Sequence, residues 1–176
     1  AYMVRGIRRD SHFEQDAADA DFDRARALAP GSVDVLNFAG DNFEFAGNLR
    51  AAERLKRQAM TLDPLAFVHP MNLTQILSAQ GRFRDAIAIG EHAIALGNGL
   101  YTRNELFWAY LRLAELDRAR DLATAICDEV GPETSRCLSV RIALHAAHRN
   151  QPALASAVDK LAANRAAKPV GGWTNN

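Results

Sequence analysis

Two histidines, His145 and His148, stand three residues apart, close enough on one helix to ligate a single metal ion. A metal would need further ligands, and no nearby cysteine, histidine or carboxylate pair supplies them; Cys137 lies two turns earlier on the same predicted helix. No metal site is expected, and the imidazoles read as partly exposed side chains. Cys127 and Cys137 flank Gly131-Pro132, a turn able to bring two helix ends together. They form either a disulfide, which would imply an oxidising compartment, or two buried thiols. Catalysis asks for a nucleophile with its base and orienting group, a metal, or a phosphate cradle. The chain has no glycine-rich loop before a Lys-Ser/Thr pair, no HExxH and no Gly-x-Ser-x-Gly, and its acids are scattered on helical faces. It is expected to have no catalytic residue and no cofactor.

The elements that hold these residues follow from composition and period. The 176 residues carry 21 Lys and Arg against 21 Asp and Glu, and 48% are hydrophobic, enough for the core of one domain or one run of repeats. Zero net charge removes the field that would draw the chain to nucleic acid. No apolar stretch is long enough for membrane insertion, and none resembles a signal peptide. A cytoplasmic location is expected, or a periplasmic one if Cys127 and Cys137 are joined. The sequence starts at Ala1, which leaves room for an export signal or another domain ahead of it.

A period of 34 organises the chain: Gly6 and Gly40; Ala18, Ala52 and Ala86; Ala25, Ala59 and Ala93; Leu28, Leu62 and Leu96; Pro30 and Pro64. That is the length of one helical hairpin. Small residues belong where two antiparallel helices come closest, roughly 8–10 Å apart. Gly47 and Gly81 suit the turn inside each hairpin, and the prolines suit the handover between hairpins. In "FRDAIAIGEHAIAL" the apolar residues recur at helical spacing, with Arg84, Asp85, Glu91 and His92 on the wet side. No run has the alternation of a strand, so no sheet is predicted.

The residues Leu36, Gly40, Phe43, Ala52, Ala59 and Pro64 resemble the tetratricopeptide repeat, and so do Leu73, Leu77, Ala86 and Ala93 one period later. Departures from its pattern fall at Lys56, Thr74, Gly90 and Asn98. A third copy, Glu105 to Ile126, fits with one residue lost, which aligns Ala119. A fourth, Glu133 to Ala167, fits after an insertion with Ala143, Ala155 and Ala162 in place. The resemblance implies an all-α, right-handed superhelical solenoid of antiparallel helix hairpins. Its array would fill residues 1–167 as repeats 1–30, 33–66, 67–99, 100–132 and 133–167, the first and last worn, with a flexible tail over 168–176. The opening "AYMVRGIRR" is similar to the start of repeat arrays that follow bacterial nucleotide cyclase or winged-helix output domains.

In the family register the first helices line a concave groove. There the resemblance places Asp34, Asn37, Asp41, Phe45, Met71, Asn72, Gln75, Asn104, Trp108 and Arg112 as a peptide-binding surface. The Asn amides can both donate to and accept from a peptide backbone, Phe45 and Trp108 can hold an apolar anchor, and Arg112 can pair with a carboxylate. Lys occurs only at 56, 160 and 168, none on those faces, which argues against the Lys-Asn grip that some family members use on a C-terminal carboxylate. The expected role is a non-enzymatic module binding a protein or peptide. Alternatives are the regulatory end of a larger bacterial signalling chain and a homodimerisation device. Trp108→Ala should weaken partner binding and leave helix content intact.

Overall fold

The computed structural model describes residues 1–97 and 99–166, so the expected tail at 168–176 lies outside the described residues. Among the described residues are ten α-helices and no strand. They are α1 (Tyr2–Ser11), α2 (Gln15–Leu28), α3 (Val33–Phe45), α4 (Leu49–Leu62), α5 (Val68–Ala79), α6 (Phe83–Ala95), α7 (Leu100–Arg112), α8 (Leu116–Val130), α9 (Ser135–Ala147) and α10 (Gln151–Ala166). The chain divides into two compact units, residues 1–105 and residues from 106 onward, with the division inside α7.

Five turns of one geometry close the hairpins. Phe13, Gly47, Gly81, Ala114 and Arg149 each have positive φ, between 54° and 77°. At each turn the next residue's N–H reaches back to close the last helical turn: Glu14 to Arg9 O, Asn48 to Phe43 O, Arg82 to Leu77 O, Glu115 to Tyr110 O and Asn150 to His145 O. This is the Schellman arrangement, which satisfies carbonyls that a helix end leaves open. Two of the five are the expected glycines. The other three accept a left-handed conformation that costs an L-residue roughly 1–2 kcal/mol, and the closing hydrogen bonds offset it.

In the first unit the alanine columns lie where the helices press together. Ala18, Ala52, Ala59, Ala86 and Ala93 have no exposed surface, and Ala25 is buried beside them. One core gathers Phe22, Leu36, Ala39 and Leu55 around Ala18 and Ala59; another joins Leu73, Leu77 and Ala86. The predicted wet side of α6 is exposed at Arg84, Asp85, Glu91 and His92.

The packing pair that sets the gap within each hairpin varies. In the first, a Cβ on Gly6 would lie 3.2 Å from the Phe22 ring. In the second, a Cβ on Gly40 would lie 2.9 Å from Lys56 Cε. The third reverses the sizes: buried Thr74 stands in the glycine column, and buried Gly90 stands in the column of Phe22 and Lys56.

The second unit has its own core, with Leu106, Phe107, Ala119, Ala123, Ile126, Leu138 and Val140 buried. Here the repeat register expected for the last copy is corrected. Ala155 and Ala162 are exposed, while Leu154 and Leu161 are half-buried. Those leucines stand five and twelve residues past Arg149, as Ala52 and Ala59 stand past Gly47. The turn, not the run of alanines, sets the register. Cys127 of α8 and Cys137 of α9 are joined in a disulfide, with Cα atoms 4.8 Å apart. Gly131 turns the chain between them at φ 92°, and Thr134 caps α9 by accepting from Cys137 N at 3.3 Å.

Candidate functional site

The helical period puts Asn37, Asp41 and Glu44 of α3 on one face, and Asn72 and Gln75 of α5 on the neighbouring one. They meet through a residue of neither helix. Lys56 springs from α4, has no exposed surface, and passes its stem through the space that Gly40 leaves open. Its ammonium donates to Asn37 O and to Asn37 Oδ1, both at 2.8 Å, and to Asp41 Oδ1. Asn37 Oδ1 also accepts from Asn72 Nδ2 at 3.2 Å. The expectation that no lysine reaches the first-helix face is thereby overturned. Lys56 sits on a second helix, but its Nζ lies among the side chains of the first.

Burial pushes the Lys56 pKa down, opposed by the Asp41 carboxylate, its hydrogen bond and the charge of Glu44. An ammonium has three N–H donors, and all three find acceptors here. Its complete burial withholds it from any substrate, so this lysine is no nucleophile. Burial also raises the pKa of two carboxyls that sequence reasoning missed. Glu44 is raised mainly by desolvation, with Lys56 opposing. Glu105, the last residue of the first unit, is raised by desolvation and opposed by a hydrogen bond with Gln75. Glu44 could have been found from its spacing, three residues past Asp41 and seven past Asn37; Glu105 stands one residue from the nominated Asn104.

The other nominated residues divide by unit. Asp34 and Phe45 are exposed, and Met71 and Asn104 are half-buried. Trp108 and Arg112 belong to the second unit. Trp108 is 40% exposed and stands edge-on to Phe107, with ring centroids 5.0 Å apart. Arg112 is exposed.

Elsewhere in the first unit, His69 at the start of α5 is buried, and its Nδ1 has no partner among the described residues. Burial lowers its pKa; Asp63 and Asp34 act to raise it, and Lys56 to lower it. An open cleft of about 790 Å³ between α2 and α4 is lined by Leu36, Leu62, Arg26 and Arg57. Its guanidinia are already committed, Arg26 to Asp23 at 3.1 Å and Arg57 to Glu53 at 2.8 Å. In the second unit, His145 is half-buried, and His148 Nε2 lies 3.4 Å from Arg120. Among the described residues no cluster of three His, Cys, Asp or Glu could hold a metal, and no helix is long and apolar enough to cross a membrane.

No protein-family model and no curated protein matches the chain. Solved structures do. YrrB, described as a TPR protein with an unusual peptide-binding site, is 18% identical, with 91% of this chain and 82% of that one aligned at a TM-score of 0.71. PilW, a type IV pilus biogenesis factor, is 10% identical over 96% of this chain and 78% of that one, at 0.83. A thermophilic TPR protein of Thermus thermophilus is 16% identical over 91% of this chain and 88% of that one, at 0.71. At such identities the likeness shows the fold, which is that of tetratricopeptide repeat proteins.

Proposed function

We propose that this chain, built of tetratricopeptide-type hairpins, is a non-enzymatic interaction module that takes up an extended peptide on the first-helix face of its first unit. The observation that carries the reading is the half-buried pair Asn37 and Asn72. Each amide is held by a neighbour, and each keeps hydrogen-bonding capacity that no protein group among the described residues takes up. Side-chain amides fixed in this way match the alternating carbonyl and N–H of an extended main chain. Phe45, 76% exposed at the end of α3 and about two turns past Asn37, offers an apolar anchor further along the helix. The peptide-binding description of YrrB accords with the same use of the fold.

Site-specific photo-crosslinking tests it. A benzophenone amino acid replacing Phe45 is expected to capture a partner in cells of the source organism, and one replacing the exposed Gln58 of α4 is not. Equal capture at both positions, or capture at Gln58 alone, would move the site to the second-helix side.

The bond between Cys127 and Cys137 supports a working location in an oxidising compartment such as the periplasm, in place of the cytoplasm that composition suggested. Protein taken from cells under alkylating conditions is expected to have both cysteines unlabelled until it is reduced. Full labelling without reduction would return it to a reducing compartment.

A further inference from the structure

Resting on the reading just given, we infer that Lys56, hidden from the surface, is the positioning residue that sets which peptides the face accepts: it makes Asn37 a pure donor, so the bound main chain must offer it a carbonyl, and the side chains alongside are neutral or cationic.

A carboxamide has two acceptor lone pairs on oxygen and two donors on nitrogen. In Asn37 both lone pairs are engaged, one by Lys56 Nζ at 2.8 Å and the other by Asn72 Nδ2 at 3.2 Å. The choice between oxygen and nitrogen is not open at this residue, because an ammonium can only donate. Lys56 therefore turns the Asn37 oxygen inward and leaves the Nδ2 group as all that Asn37 can present. Asn72, having donated to Asn37, keeps its Oδ1 as an acceptor. Among the described residues no protein group engages Asn37 Nδ2 or Asn72 Oδ1. The two side chains thus present one donor next to one acceptor, the complement of a carbonyl and an N–H on one peptide.

Charge narrows the ligand further. Asp41 gives one oxygen to Lys56 and keeps the other. The buried ammonium is opposed by Asp41 and Glu44, and Glu44 also feels the charge of Glu105; all three acids are half-buried, where salt screens poorly. A carboxylate in the ligand would be repelled; a lysine or arginine side chain, or none with charge, would not.

The test uses the whole chain and three pools of short fluorescent peptides of Gly, Ser, Thr and Val: one with added Lys and Arg, one uncharged, one with added Asp and Glu. Fluorescence polarisation is expected to give the cationic and uncharged pools about tenfold tighter binding than the acidic pool, the size of one charge-assisted contact. Asn37→Asp keeps the acceptors for Lys56 and Asn72 but has no donor, so it should lose about tenfold on the uncharged pool, where its added charge has no ligand charge to act on, without a fall in Tm. Lys56→Met, checked for helix content, should widen the preference between pools, because Asp41 and Glu44 lose their counter-charge; a lysine that served only stability would leave that ratio unchanged. If Asn37→Asp binds like the wild type, or if the acidic pool binds best, the inference fails while the peptide-binding reading stands. If the wild type holds none of the three pools, both fail together.

Discussion

The second and third hairpins, neighbours in one unit, fill the same contact in opposite ways. Between α3 and α4, Gly40 yields its space to the long side chain of Lys56; between α5 and α6, buried Thr74 stands in the glycine column and buried Gly90 in the column of Lys56. Either order lets two helices approach, because the sum of the two side chains matters more than which helix supplies the bulk. The consequences differ. Thr74 meets its own polar demand by donating to Pro70 O at 2.8 Å, one turn back on the same helix. Lys56 has no such local acceptor, and its charge must be met by Asn37 and Asp41 across the hairpin. A packing choice made on a second helix thereby arranges the side chains of a first helix.

The largest effect is expected from giving the second hairpin the third one's residue. Gly40→Thr would set a Cβ 2.9 Å from Lys56 Cε and should cost about 3 kcal/mol, read from urea unfolding of the first unit's helices. Adding Lys56→Gly completes the exchange, and the double variant should be about 1–2 kcal/mol more stable than the two single changes summed. Strict additivity would show that the two positions do not share a space.

Lys56→Met keeps the bulk and removes the charge. It should cost about 1–2 kcal/mol, less than breaking a buried pair usually does, because the Asp41 side chain is 29% exposed and water can take over from the ammonium. A loss as large as that of Gly40→Thr would mean that the charge, and not the fit, holds the hairpin.

Buried His69, at the start of the third hairpin, adds a pH dependence. Its folded pKa lies below its ordinary value, chiefly through burial, so the unfolded chain binds the proton first. Stability is complete above the unfolded pKa, about 6.5, and is lost as pH falls through it. Between neutral and mildly acid pH, Tm should drop by about 2–4 °C more in the wild type than in His69→Leu. Glu44 and Glu105, whose raised pKa values act in the opposite sense at lower pH, are common to both proteins and cancel in the difference. Parallel pH curves would remove His69 from the account.

The smallest effect belongs to the third hairpin. Thr74→Val removes a bond that stays within one helix and should cost no more than about 1 kcal/mol, with peptide binding unchanged.

The period of 34 made the hairpins legible, since alanine columns and turn glycines respond directly to the close approach of helices. Gly47 and Gly81 announced two turns, but Phe13, Ala114 and Arg149 did not, because there the closing hydrogen bonds impose a conformation that residue type does not advertise. Ala155 and Ala162 misled for a related reason: alanine suits many helix positions, and a single residue's slip moves it from contact to solvent. On the face itself, Asn37, Asp41 and Asn72 follow from helical spacing. Lys56 does not, since its Cα lies on another helix and only its length, with the gap at Gly40, carries the charge across. It reads in the sequence as a break in the repeat pattern, and so do Thr74 and Gly90; the breaks are the two halves of alternative fits.

The Asn37 side-chain amide is the most direct witness. In a spectrum of 15N-labelled protein its Nδ2 pair can be assigned by its loss in Asn37→Asp, then followed as the uncharged peptide pool is added. The account predicts one resolved pair that shifts progressively as peptide binds, together with that of Asn72. Binding seen by polarisation while the Asn37 pair stays in place would contradict it.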